Sequence, residues 1–106
     1  MIDPHVHLRD WKQSNKETIL HGLTVAKNAG FTSLFDMPNT DPALTSRDMI
    51  LNRLSDGLEA AKTVKGITYR VYGGLTKDKE QIREVVSAYN ELFPLIVGLK
   101  LFAGNS

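Results

Sequence analysis

The sequence predicts an α/β protein built on a parallel sheet. Four segments rich in apolar and β-favouring residues begin near residues 2, 31, 66 and 95, and a segment with helical spacing follows each of the first three. The resulting βαβαβαβ order repeats about every 30 residues, which is typical of parallel strands joined by helical crossovers. A doubly wound sheet and a (β/α)8 barrel share this repeat, and four strands would form half of such a barrel.

Strand and cap signals define the first elements. Residues 2 to 8 are predicted to form the first strand. Ser14 to Glu17 has the spacing of a helix capping box, and the helix that follows carries an apolar stripe up to Gly30, which suits a left-handed C-terminal cap. Phe31 to Met37 is predicted as the second strand, followed by a proline-rich loop.

The later elements follow the same logic. A second helix is predicted from Ser46 to Lys62 and a third strand from Gly66 to Leu75, in which Gly73-Gly74 is expected to form a turn. Asp78 opens a third helix, which a proline ends, and residues 95 to 102 are predicted as the fourth strand.

Composition restricts the function classes. With 42% hydrophobic and 24% charged residues, the 106-residue chain is expected to fold as one soluble domain. The formal charge of +1 and the lack of a basic cluster argue against nucleic acid, so a small-molecule partner is expected. There are no cysteines, so any metal is held by His, carboxylate or modified Lys. No leader and no apolar run of about 20 residues is present, which favours a cytoplasmic protein over a membrane protein.

His5 and His7 are the first candidate metal ligands. Side chains alternate across a strand, so Asp3, His5, His7 and Arg9 project to one face if the segment stays extended. Neutral imidazole suits zinc and similar ions, and two imidazoles at this spacing can bind one ion. The alternative is a pair of surface or hydrogen-bonded histidines.

Lys100 is the third candidate ligand. Side chains alternate on the fourth strand, so one face is wholly apolar and the other directs Lys100 inward. The apolar face consists of Leu95, Val97, Leu99 and Leu101. The other face consists of Ile96, Gly98, Lys100 and Phe102. Because an unpaired buried ammonium is costly, Lys100 either reaches solvent, pairs with Asp3, Asp10 or Asp36, or loses its proton. An uncharged amine could take up carbon dioxide, and the resulting carbamate could bridge two metals.

Arg9 and Asn39 are candidate substrate-binding residues. Asn39 follows the second strand at the edge where parallel α/β proteins bind ligands, and Arg9 can form a bidentate pair with a carboxylate. Together they would form an anion clamp. The alternatives are an Asx turn for Asn39 and a solvated cation for Arg9.

Four motifs in this order resemble the dihydroorotases of the amidohydrolase superfamily. They are Asp3-Pro4-His5-Val6-His7-Leu8-Arg9-Asp10, Gly30-Phe31-Thr32, Asp36-Met37-Pro38-Asn39-Thr40-Asp41-Pro42 and Gly98-Leu99-Lys100-Leu101-Phe102. The resemblance implies the first half of a TIM-type (β/α)8 barrel with a binuclear zinc centre. It further implies that His5 and His7 bind one zinc, that carboxylated Lys100 bridges both, and that Arg9 and Asn39 hold a substrate carboxylate.

The resemblance also implies that the set is incomplete. Two more histidines and a catalytic aspartate of the family lie on later strands, so residues 1–106 would be the amino-terminal half of the barrel, a single incomplete domain with no catalytic base. The chain alone is therefore expected to be inactive or nearly so, and to self-associate or bind the missing half. Alternatives are a hydantoinase or allantoinase, a non-catalytic assembly partner, and a small doubly wound ligand-binding domain.

Overall fold

The computed structural model describes residues 1–13 and 18–102. Its elements alternate as the sequence predicts; in chain order they are β1 (Ile2–Val6), a 3-10 turn (Trp11–Gln13), α1 (Ile19–Asn28), β2 (Ser33–Asp36), α2 (Arg47–Val64), β3 (Thr68–Leu75), α3 (Lys79–Leu92) and β4 (Ile96–Leu101). The predicted capping box at residues 14–17 lies outside the described residues.

Side-chain caps fix where each helix begins. The hydroxyl oxygens of Thr18 and Ser46 and the carboxylate of Asp78 accept hydrogen bonds from backbone amides in the first turns of α1, α2 and α3. These bonds satisfy amides that have no partner within the helix. The predicted starts of α2 and α3 are confirmed. Gly30 follows α1 with φ of 96°, the left-handed conformation that glycine adopts without strain.

The four strands form one parallel sheet in the order β1-β2-β3-β4. Each strand pairs with its sequence neighbour, so each helix is a crossover between adjacent strands. One core cluster joins buried side chains of β2, β3 and β4 to those of all three helices; its members include Leu23, Leu34, Ile50, Tyr69, Val71, Val85 and Ile96. Burial of this face supplies the main driving force for folding.

The predicted turn at Gly73-Gly74 is wrong, because both glycines lie within β3 and pair with Leu99 and Lys100. A Cβ on Gly73 would lie 2.8 Å from Cγ1 of Val85, and a Cβ on Gly74 would overlap the ring of Phe102. These glycines therefore allow neighbouring side chains to approach the strand, which is a common role for glycine inside a sheet.

Candidate metal centre

The carboxyl end of β1 carries the two histidines. Pairing with β2 is irregular between Asp3 and Val6, so the uniform alternation expected of this strand is interrupted. Asp3 lines a groove between β1 and α1 together with Val6, His7 and Leu8. The backbone amide of Met37 donates to the carbonyl of Val6 at 2.8 Å, which brings the loop after β2 beside the histidines.

The imidazoles of His5 and His7 meet edge to edge. Their Nε2 atoms lie 3.1 Å apart, and the ring planes make an angle of 62°. Two nitrogens bound to one tetrahedral zinc at about 2.0–2.1 Å would lie about 3.3 Å apart. The spacing therefore fits two ligands of a single ion, which the donor chemistry of imidazole also favours.

Asn39 fixes the orientation of the second imidazole. Its Oδ1 lies 2.8 Å from Nδ1 of His7, so Nδ1 carries the proton and donates it. Nε2 of His7 is then left with its lone pair, which faces Nε2 of His5. A hydrogen bond of this kind to the remote nitrogen is what commonly orients metal-binding histidines.

A cavity of about 170 Å³ gathers four of the five predicted site residues. His5, His7, Asn39 and Lys100 line it, and the remaining walls are mostly apolar, from Met37, Pro38, Leu101 and Phe102. The loop that carries Asn39 is held in place because the carbonyl of Pro38 accepts from Leu44 at 2.9 Å, and the carbonyl of Leu44 accepts from Gly74 at 2.8 Å.

Lys100 reaches this cavity from the edge of the sheet. Its neighbour in register on β3 is Gly74, and its side chain is exposed, which is one of the alternatives that the sequence left open. The reason is that β4 has no strand beyond it among residues 1–13 and 18–102. Within the same residues no carboxylate lies within ion-pairing distance of Lys100, and Asp36 is paired elsewhere.

Arg9 does not line the cavity. It is half-buried, and its Nη1 donates to Oε1 of Gln13 at 3.4 Å, which is a long hydrogen bond. The structure therefore does not bring Arg9 and Asn39 together as a clamp in this state. Among the described residues, no group of three or more His, Asp or Glu side chains is placed to hold a metal.

Sequence reasoning missed a buried ion pair behind the site. Asp36 and Arg53 are both fully buried, and Nε and Nη2 of the guanidinium each lie 2.9 Å from Oδ2 of Asp36. That oxygen also accepts from the Tyr69 hydroxyl at 2.6 Å, and Oδ1 accepts from the amide of Leu8 at 3.0 Å. Burial raises the pKa of Asp36, against the opposing effect of the adjacent guanidinium.

The sequence did contain a signal for this pair. Arg53 falls between Ile50, Leu54 and Gly57 on the apolar stripe of α2, where a cation needs a buried partner. Asp36 is likewise a charged residue at a buried position, the last one of β2. Gly57 completes the arrangement, since a Cβ there would overlap the ring of Tyr69.

The chain is similar to known proteins both in sequence and in fold. No protein-family model matches the chain. A dihydroorotase of Pyrobaculum aerophilum is 35% identical over 94 residues, which are 89% of this chain and 23% of that protein. Further dihydroorotases of archaea and bacteria also match.

Two solved structures share the fold. The L-hydantoinase of Arthrobacter aurescens superposes with a TM-score of 0.71 at 23% identity, over 92% of this chain and 20% of that one. The dihydroorotase of Campylobacter jejuni gives 0.62 at 23% identity, over 99% of this chain and 27% of that one.

The four-stranded parallel unit thus matches the start of a (β/α)8 barrel, and the sequence of the chain is similar to that of amidohydrolases. Within that class its sequence relatives are the dihydroorotases. The chain spans about a quarter of the length of these relatives. The predicted fold and family are both confirmed. No helix in the described residues is long and apolar enough to cross a membrane.

Proposed function

We propose that this chain supplies the first half of the active site of a dihydroorotase, which interconverts dihydroorotate and N-carbamoyl-L-aspartate in cytoplasmic pyrimidine biosynthesis. The observation that carries the proposal is the 3.1 Å separation of the His5 and His7 Nε2 atoms at the rim of a cavity that Lys100 also lines. Membership of a metal-using class and the dihydroorotase relatives support it.

In this proposal His5 and His7 hold one zinc, and Lys100, carboxylated by carbon dioxide, joins it to a second. When bound, the zinc pair would polarise the amide carbonyl of the substrate and lower the pKa of a water molecule. The exposed amine of Lys100 is open to carbon dioxide. It stands beside two imidazoles, so the negative charge of a carbamate would be balanced by the metals.

The chain's other contribution is to bind the substrate carboxylate. Asn39 uses its Oδ1 for His7, and its amide nitrogen would donate to an anion. Arg9 is the second arm of the proposed clamp. Its long bond to Gln13 is weak, so the guanidinium can leave Gln13 and pair with a carboxylate that enters the cavity.

Metal content and assembly test the proposal together. Purified protein is passed over a gel-filtration column, and the zinc in each fraction is measured. We expect zinc to elute with the protein, with His5→Ala and His7→Ala each abolishing it and His21→Ala, on α1, leaving it unchanged. A stable monomer that holds two zinc ions would contradict the proposal that the site is completed from elsewhere.

Carboxylation of Lys100 has its own test. After equilibration with ¹³C-bicarbonate, the carbon NMR spectrum should show one carbamate signal, which Lys100→Ala removes and Lys77→Ala, in an exposed loop, retains. Absence of the signal in protein that holds zinc would rule out the bridging role of Lys100.

A non-catalytic assembly partner is the second candidate. The observation that favours it is that His5 and His7 stand without a third ligand, because no group of three or more possible metal ligands occurs among the described residues. Turnover of dihydroorotate, followed by its ultraviolet absorbance in the presence of the complementary half, separates the two. Restored turnover supports the enzyme, and stable binding without turnover supports the partner.

A further inference from the structure

The segment that carries His5 and His7 is held at both ends by side chains from other elements. At one end the Tyr72 hydroxyl donates to the carbonyl of Pro4 at 2.8 Å. At the other end the buried guanidinium of Arg53 donates from Nη2 to the carbonyl of Leu8 and, at 3.0 Å, to that of Arg9. Both anchors therefore bind backbone atoms rather than the imidazoles.

Leu8 is held on both sides by one ion pair. Its carbonyl accepts from Arg53, and its amide donates to Asp36, the carboxylate that pairs with Arg53. The two charges of this ion pair therefore fix the position of the peptide groups on either side of Leu8, directly after His7. Charged partners give hydrogen bonds that are stronger and more restrictive than neutral ones.

The backbone immediately beyond this anchor is strained. Asp10 and Trp11 have φ of 112° and 54°, in the left-handed region that residues with a Cβ rarely adopt. Such conformations persist only where surrounding contacts enforce them. Here the guanidinium of Arg53 lies 5.1 Å from the centre of the Trp11 ring, so the same side chain contacts the strained turn.

Stability alone is a poor explanation for this arrangement. Buried ion pairs contribute little net stability, because desolvation offsets their attraction. Nη1 of Arg53 is also buried with no hydrogen-bond partner among the described residues, which adds to the cost of burying this cation. A conformational role accounts better for keeping the pair.

We propose that Arg53, with Asp36, and Tyr72 are positioning residues that set the geometry of the His5 and His7 imidazoles. This inference rests on the proposed metal centre, because its consequence is a preorganised pair of ligands. Loss of groups that orient metal ligands typically weakens metal binding about 10- to 100-fold. We expect an effect of that size.

The test replaces the pair by neutral groups and uses Co²⁺ as the probe. Asp36→Asn with Arg53→Met removes both charges but keeps an acceptor for Leu8. Arg47→Met with Glu91→Gln is the matched control, because that ion pair joins α2 to α3 at the surface with Nη1 and Oε2 2.6 Å apart. We expect the Co²⁺ affinity to fall about 10- to 100-fold in the first variant and to stay unchanged in the second.

Two measurements on metal-free protein separate this inference from the proposed function. Ring nitrogen signals of His5 and His7 should shift, and the Leu8 amide should exchange faster, in the buried-pair variant but not in the control. If wild-type protein binds no Co²⁺, the proposed metal centre is wrong. The two measurements on metal-free protein then still test whether the ion pair positions the imidazoles. A folded buried-pair variant that matches the control in all three measurements would overturn the inference.

Tyr72→Phe covers the case in which the buried-pair variant does not fold. It removes only the hydroxyl that binds Pro4, on a half-buried ring. We expect shifted imidazole signals and weaker Co²⁺ binding. Unchanged values of both would overturn the inference as well.

Discussion

The Nδ1 atom of His7 lies 2.8 Å from Oδ1 of Asn39, although 32 positions separate the two residues in the sequence. This bond joins the end of β1 to the loop after β2. It leaves the lone pair of His7 Nε2, which faces His5, to bind a metal, and the amide nitrogen of Asn39 to donate to an anion. A proposed metal ligand and a proposed substrate ligand are thus parts of one hydrogen-bonded unit.

Asn39→Leu should weaken zinc binding by about 10- to 100-fold, because His7 loses the group that selects its tautomer. Leucine has a similar volume but accepts no hydrogen bond. Competition with a chelator of known affinity measures the change. Asn52→Leu, at an exposed position of α2, is the control and should bind zinc as the wild type does. Equal affinities in the two variants would contradict the orienting role of Asn39.

Gly57→Ala should destabilise the protein, although alanine favours helices over glycine by about 1 kcal/mol. The added methyl group would overlap the Tyr69 ring, which is buried and bonded to Asp36. Overpacking of this kind costs about 1–3 kcal/mol, which exceeds the gain in propensity. Urea unfolding measures the change, with Ser55→Ala as a control on the exposed face of the same helix. A more stable Gly57→Ala protein would show that the ring is free to move.

The stability contributed by Asp36 should fall as the pH rises. Burial raises the pKa of Asp36 above its ordinary value of 3.8. The folded state therefore holds this proton more tightly than the unfolded state, and the associated stability is fully present below about pH 3.8 and is lost as the pH passes the folded pKa.

The check compares wild type with Asp36→Asn. The difference between their unfolding free energies, wild type minus variant, should decrease from about pH 4 upwards and then level off. A difference that increases with pH would mean that Arg53 and the hydrogen bonds outweigh burial.

Leu101→Lys should reduce self-association. Leu101 is 68% exposed on β4, which is an edge strand of the described sheet. Apolar edge strands promote pairing between chains, and a lysine at the edge opposes it. Sedimentation velocity over a concentration series measures the effect. Leu51→Lys, on the exposed side of α2, should leave the association unchanged, and equal behaviour of both variants would exclude the β4 edge.

Short-range sequence signals predicted the helices correctly. They gave a wrong prediction where tertiary packing determines the local structure. Ser46 and Asp78 mark helix starts because a cap acts on amides within three residues. Gly73 and Gly74 looked like a turn because the reason for them, Val85 and Phe102, is supplied by distant elements. Such a contact is invisible without the tertiary structure.

The site shows the same division. Alternation along β4 predicts that Lys100 turns towards the histidines, and its side chain lines their cavity. Along β1, the pairing with β2 is irregular between Asp3 and Val6, a break that strict alternation does not anticipate. Whether Lys100 reaches solvent depends on a neighbouring strand, and β4 has none beyond it in the described residues.

The contact between Arg53 and the carbonyl of Leu8 joins residues that are 45 positions apart in the sequence. The ribosome makes Leu8 long before Arg53 and Tyr69, which belong to the hydrogen-bond network that holds it. We therefore expect β1 to reach its final conformation only after these residues have been made. We expect β1 amides in pulse-labelled refolding to become protected no earlier than those of α2. The strand that carries the histidines would then mature among the last elements of this sheet.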